Sequence, residues 1–290
     1  MLFTQLLTAA VLAVTGIATP IGPSNGKNTT YIGPENGHLV IVGGNLKSDR
    51  IWERIITLAG GPNSSIVVVP TAGGDPTYNS SFPAALSLQR LGAKVTVLHT
   101  YDPAVADTDE FIAGPSQPQL ASSSAGGRQW RLVDAYAGTK SRIRISIRSS
   151  AGASIIGSFL ARGDTRNNTI MIGDHTVGFG YLKNAAIDQH VLVRNRHFDM
   201  FEILNANPEL WGVAIDEDTA LIVRQNEAEV FGNTYALVYD GGFWSREGTS
   251  FNNVPPPNAR FYFLKEGDKY DLVKREVIVP AAKRDVDEEW

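Results

Sequence analysis

A serine set among residues with almost no side chain, Ser149-Ser150-Ala151-Gly152-Ala153-Ser154, joins an alternating apolar stretch to one with helical spacing. A hydroxyl on a strand-to-helix turn projects from the edge of a sheet. The N–H groups of the first helical turn face it without intrahelical partners. Small neighbours let a carbonyl group approach the backbone. The arrangement suits nucleophilic attack by Ser150, although Ser/Ala/Gly runs also cap ordinary helices. A serine hydroxyl needs a base, and the base needs an orienting acid. Five histidines are present, His38, His99, His175, His190 and His197. His190 has the distinctive setting: Ile187-Asp188-Gln189-His190 is followed by Arg194 and Arg196. An acid, an amide, an imidazole and two guanidiniums in so short a span suit a pocket that holds a carboxylate through arginine and abstracts a proton through histidine.

Those side chains need a scaffold. His38–Val42 (HLVIV) and Ser65–Pro70 (SIVVVP) are apolar runs of buried-strand length, and Lys94–His99 (KVTVLH) is a third. Helical spacing over 49–59 and 82–91 separates them. A further helix is expected over Arg128–Tyr136 and another over Ser154–Leu160. Strands alternating with helices imply an α/β fold with a mostly parallel sheet covered on both faces. Ligands in such sheets sit beyond the carboxyl ends of the strands. Beyond Asn184 the pattern turns β-rich, with short strands expected at 219–223, 228–231, 234–239 and 258–264.

With 290 residues, 43% hydrophobic and 19% charged, the chain can bury one sizeable core. Its net charge of −4 excludes nucleic acid as the main partner. The absence of cysteine excludes thiol catalysis, thiolate metal sites and disulfides. Leu2–Val14 is a short apolar run followed by Gly16-Ile17-Ala18, which reads as a secretory signal peptide over 1–18. A leader segment over 19–36, one α/β domain over 37–280 and a charged tail over 281–290 complete the expected organisation. Sequons at Asn28, Asn63, Asn79 and Asn167 fit a secreted, extracellular glycoprotein with no membrane attachment after signal cleavage.

The ordered set Gly43-Gly44, Gly126-Gly127-Arg128-Gln129, Ser150-Ala151-Gly152-Ala153, Asp188-Gln189-His190 with Arg194 and Arg196, and Ile215-Asp216-Glu217 resembles the cyanophycinase and aspartyl dipeptidase family of serine peptidases. The likeness spans roughly residues 37–240 and is nearest to cyanophycinase-like proteins of the fungal type. It implies a class I glutamine-amidotransferase-like (flavodoxin-like) fold. It also implies a secreted serine-type exopeptidase cutting aspartyl or β-aspartyl bonds, with no cofactor or metal. Ser150 would be the nucleophile and His190 the base, while Gln129, Asp188, Gln189, Arg194 and Arg196 would line the pocket. Gly43, Gly44 and the N–H of Ala151 would supply the oxyanion hole. The third triad member stays open between Glu217 and Asp164, with Asp174 further on. A homodimer fits the resemblance. Arg162-Gly163-Asp164 also spells an adhesion tripeptide, a short string common by chance.

Some residues depart from that pattern. An elbow turn usually has glycine two positions before its nucleophile, and Arg148 stands there. Arg142, Arg144 and Arg148 would place a row of cations on one face of a strand that should be nearly all apolar. Gly114–Ala125 reads as a loop where an apolar strand is expected. A sheet lacking two strands beside intact motifs points to a misplaced splice boundary within 112–125 and 140–148. An intact chain with those departures gives the alternative reading, a catalytically impaired protein that binds acidic or β-aspartyl peptides. Asp199 occupies a position where the family often carries a third arginine.

Overall fold

Leu39–Val42 (β1) is apolar and buried at all four positions, as a strand covered on both faces must be. Its side chains alternate: Leu39 and Ile41 enter one core cluster, Val40 and Val42 another. The structure is a computed structural model that describes residues 31–113, 119–123, 127–141, 145–149, 151–240 and 260–279. Residues 1–18, Asn28, Ser150 and the tail 281–290 lie outside the described residues.

Asp49–Leu58 (α1) turns Ile51, Trp52, Ile55 and Ile56 inward. Ser65–Val68 (β2) leads into a tight turn at Thr71–Gly73. Pro83–Arg90 (α2) starts with proline, whose missing N–H costs nothing in a first turn. Lys94–Val97 (β3) follows. Asp102 then caps Pro103–Ala106 (α3) by accepting the Ala104 N–H at 2.8 Å. Next come Asp109–Ala113 (α4), Gln119–Ser123 (β4), Trp130–Tyr136 (α5), Ile145–Ser149 (β5), Ala151–Ser154 (α6) and Gly157–Phe159 (β6). The second half holds Leu182–Gln189 (β7), Met200–Ala206 (α7), Trp211–Ile215 (β8), Thr219–Arg224 (β9), Glu227–Gly232 (β10) and Tyr235–Asp240 (β11). Arg260–Lys265 (β12), Lys269–Asp271 (β13) and Glu276–Ile278 (β14) complete it.

Two sheets result. The larger has the order β14-β13-β10-β9-β1-β5-β4-β2-β3 and the smaller β12-β11-β8-β7-β6. Strands β1, β5, β4, β2 and β3 pair in parallel, but β9 joins β1 antiparallel and so do all strands beyond it. The fold is therefore mixed α/β, not the mostly parallel sheet that the βα alternation of the first hundred residues implies. The β-rich second half adds its strands to the β1 edge and builds a second layer. One core lies between the sheets, with Ile41 and Leu221 meeting Ile187, Val213 and Val238. The opposite face of the large sheet packs on α1 and α2. The outer face of the small sheet packs on α7.

Three local expectations change. Ser154–Leu160 is not a helix: α6 ends at Ser154 and β6 follows, because β6 pairs in parallel with β7. Part of the stretch read as a loop, Gln119–Ser123, is strand β4 between β2 and β5. Strands β4 and β5 both take interior places in the large sheet. Finally, Arg162-Gly163-Asp164 is no exposed adhesion loop, since Arg162 is 2% and Asp164 1% exposed.

Candidate active site

The carboxyl ends of β1, β7 and β8 converge on His190. β7 delivers it directly after Gln189, with φ at +56°, a left-handed conformation that costs a non-glycine residue about 1–2 kcal/mol. Its N–H donates to the Gly43 carbonyl at 3.0 Å, tying the end of one sheet to the end of the other. Its imidazole lies against Gly44, where a Cβ would come within 2.3 Å of Cε1. Gly44 itself has φ of +111°, so glycine is demanded twice over.

His190 Nδ1 lies 2.7 Å from Glu217 Oε1, with both side chains largely buried. Glu217 Oε2 accepts a hydrogen bond from Asn45 Nδ2. The two neighbouring acids hold the surrounding loops. Asp216 Oδ1 accepts the N–H groups of Leu192 and Val193 at 3.0 and 3.2 Å, shaping the turn after His190. Asp218 Oδ1 accepts those of Lys47 and Ser48 at 2.9 and 2.7 Å, closing the loop after β1. Of the two acids that the sequence leaves open, Glu217 is the one in contact with His190. Asp164 accepts hydrogen bonds from the Arg166 guanidinium and from the N–H groups of Arg166 and Asn167. They hold its carboxyl down at about 2. Asp174 binds Thr165 and His175.

Burial lowers the pKa of His190 below 6.5. Glu217 opposes that shift, and the positive charges of Arg194 and Arg196 add to it. The imidazole is thus neutral and able to accept a proton at neutral pH. A kcat/KM profile that depends on it is expected to keep its acid limb below pH 6.5, activity falling as pH drops through the depressed pKa. A limb centred above 6.5 in steady-state assays would contradict this.

The proposed pocket residues divide. Asp188 is fully buried and faces Arg162, which donates from Nε and Nη2 to its two oxygens at 2.8 and 2.9 Å. Asp188 therefore lies beneath the site and lines no open pocket. Arg162 also reaches Asp199 at 2.6 Å, so the acid in the place of a third arginine is neutralised from below. Arg196 donates to the Gln189 carbonyl at 3.0 Å. Arg194 remains exposed. Gln129, 1% exposed, donates from Nε2 to the Ala161 carbonyl at 3.0 Å. Gln189 Oε1 is buried and has no hydrogen-bond partner among the described residues, an uncommon state for such a group. The Gly43 N–H is taken by the Thr219 carbonyl at 3.0 Å and is not a free oxyanion donor. No hydrogen bond from the Gly44 N–H is present among the described residues, and Ala151 opens α6. Ser150 falls between β5 and α6; its neighbour Ser149 is in register with Val42 of β1. Arg162 and Asn45 are site residues that sequence reasoning missed. Asn45 follows the Gly43-Gly44 pair directly, but nothing in the sequence marks Arg162 as the partner of Asp188.

A histidine backed by a glutamate at the carboxyl edge of an α/β sheet is an arrangement able to carry general acid–base chemistry. Peptidase family S51 matches residues 39–231, well over half of the chain, and the chain belongs to that family. It is 27% identical over 256 residues to the cyanophycinase of Geminocystis herdmanii, covering 80% of this chain and 93% of that protein. It is 25% identical over 249 residues to the cyanophycinase of Trichormus variabilis, covering 78% and 81%. A crystal structure of a peptidase from an acI-B1 Actinobacterium has the same fold, with a TM-score of 0.59 at 21% identity over 81% of this chain and 96% of that one.

Proposed function

We propose that the chain is a secreted serine-type exopeptidase that hydrolyses aspartyl or β-aspartyl peptide bonds. The contact between His190 Nδ1 and Glu217 Oε1 carries this reading. It keeps the proton on Nδ1 and leaves Nε2 to accept one. In the proposed reaction, His190 Nε2 takes the Ser150 proton as Oγ attacks the scissile carbonyl. The N–H groups of Ala151 and Gly44 receive the oxyanion, a function for which loss of one donor costs about 10²–10³ in rate. His190 then protonates the leaving amine. Water, deprotonated by the same imidazole, hydrolyses the acyl-serine and restores the hydroxyl. Arg194, exposed four residues after His190, supplies a cationic edge for an aspartyl carboxylate. The relatives' name, cyanophycinase, supports this choice of bond. The signal-like segment 1–18 supports secretion, and the exposed sequons at Asn63, Asn79 and Asn167 support glycosylation.

The test is hydrolysis of β-aspartyl-arginine and α-aspartyl dipeptides by the purified protein and by Ser150→Ala. Turnover that the substitution abolishes, with labelling of Ser150 by a serine-reactive phosphonate, is the expected result. Binding without turnover in both proteins overturns the enzyme reading and leaves a peptide-binding protein. Arg148, in the place of the elbow glycine, is the residue that favours that outcome.

A further inference from the structure

A cleft of about 350 Å³ opens past the carboxyl ends of β2 and β3 and is lined by Gly74, Tyr101, Trp130, Arg131 and Asp134. Arg131 is half-buried. Its Nη1 donates to the Ala72 carbonyl at 3.1 Å, and its guanidinium lies 5.3 Å over the Trp130 ring. It crosses Gly74 so closely that a Cβ there would meet Nη1 at 2.2 Å. The cation is thus fixed in place, and no carboxylate among the described residues forms an ion pair with it. The acid on the other wall is already engaged. Asp134 lies 2.9 Å from His175 Nε2, and Asp174 lies 2.9 Å from Nδ1. Burial disfavours the charged imidazole, but the two carboxylates outweigh it and raise its pKa. One wall therefore presents a guanidinium with no ion-pair partner among the described residues, and the other an acid that shares the His175 imidazole with Asp174.

The remaining wall is preorganised. His99 meets Tyr101 and Tyr78 edge-on at 4.6 and 4.8 Å. Its Nδ1 lies 2.9 Å from Thr71 Oγ1, which lies 2.7 Å from the Tyr136 hydroxyl. Tyr101 stays 41% exposed at the mouth. Helix α5 carries the cleft residues Trp130 and Arg131, and Gln129, which donates to the Ala161 carbonyl, directly precedes it.

We propose that the cleft is a distal subsite for a peptide carboxylate beyond the bond being cut, anchored by Arg131 and walled by Trp130 and Tyr101. The proposal rests on the peptidase reading above. A fixed guanidinium that meets a carboxylate through charge-assisted hydrogen bonds sets an expected gain of about tenfold in apparent affinity. The full-length protein, Arg131→Gln and Tyr101→Phe are assayed on tetrapeptides sharing one cleavable end, with Asp, Ala or Lys at the distal position. KM is expected to be about tenfold lower for the Asp peptide than for the Ala peptide, and Arg131→Gln is expected to erase that preference. Tyr101→Phe, which keeps the ring on the wall but removes a hydroxyl bonded to Tyr78 and to the Gly74 backbone, is expected to weaken that preference without erasing it. Equal KM values for the three peptides, or a preference that survives Arg131→Gln, overturn the subsite and leave the peptidase reading intact. Calorimetry of the Asp tetrapeptide on the Ser150→Ala protein separates the reverse case. Arg131-dependent binding without turnover by the unaltered protein sinks the peptidase reading while the carboxylate site stands. Neither binding nor turnover sinks both.

Discussion

Glu217→Gln is expected to lower kcat about 10⁴-fold, the loss known for the equivalent acid-to-amide change in serine proteases, while leaving Tm within a few degrees. Asn45 decides why so small a change should cost so much. It donates Nδ2–H to Glu217 Oε2. An amide introduced at this position must turn its oxygen toward Asn45, which leaves its NH₂ facing His190 Nδ1. Nδ1 must then be the unprotonated nitrogen, and the proton moves to Nε2, the atom that has to accept one. The geometry survives and the tautomer is wrong. Asp164→Asn is the matched comparison, because Asp164 binds Arg166 and Asn167 rather than His190. Its kcat, normalised to folded protein, is expected to fall far less. Steady-state kinetics on aspartyl dipeptides decide. A Glu217→Gln protein that retains kcat within tenfold would remove Glu217 from the catalytic set.

The second large effect is on stability. Arg162→Met is expected to destabilise the fold by about 3–5 kcal/mol, the range for breaking a buried ion pair from one side. Arg162 and Asp188 are both essentially inaccessible, and the guanidinium satisfies both carboxylate oxygens. Arg196 offers no ready replacement, since it lies 3.7 Å from Asp188 Oδ1 and donates to the Gln189 carbonyl. The carboxylate would be left buried directly before Gln189 and His190, with only the longer Arg196 contact and the Gln189 N–H at 2.9 Å to offset its charge. Arg162→Met combined with Asp188→Leu is expected to recover most of the loss, because an apolar pair of similar volume removes the unpaired charge. Urea unfolding of the single and double variants measures both effects. A single-variant loss under about 1 kcal/mol would mean that water reaches Asp188 and that the pair is not a buried support.

Much of the site was legible before any coordinates. Gly43-Gly44, Gln129, Asp188-Gln189-His190 and Ile215-Asp216-Glu217 are each short. Each falls at the end of a strand or the start of a helix, where an α/β sheet collects its functional side chains. The first three strands and helices α1, α2 and α5 followed from apolar periodicity. Strands β4 and β7 did not. Gln119–Ser123 is polar, and Leu182–Gln189 ends in an acid and an amide, so both resemble solvated loops by composition. They are strands because neighbours far away in sequence offer a ladder, β2 and β5 to the first, β6 and β8 to the second. Arg162 and Asp164, which spell a recognition tripeptide, are buried in ion pairs with Asp188 and Arg166.

By itself the sequence determined the family, the order of the motifs and the small set of side chains able to do chemistry. Residue type and spacing carry that information locally: a serine among small residues, an imidazole close to arginines, a pair of glycines after the first apolar run. Tertiary structure alone decided which acid meets His190, that Asp188 supports the site from below, and that the sheet turns antiparallel at β9. Each of these is a pairing between segments distant in the chain, selected by strand register and by the cost of leaving a buried charge or backbone group without a partner.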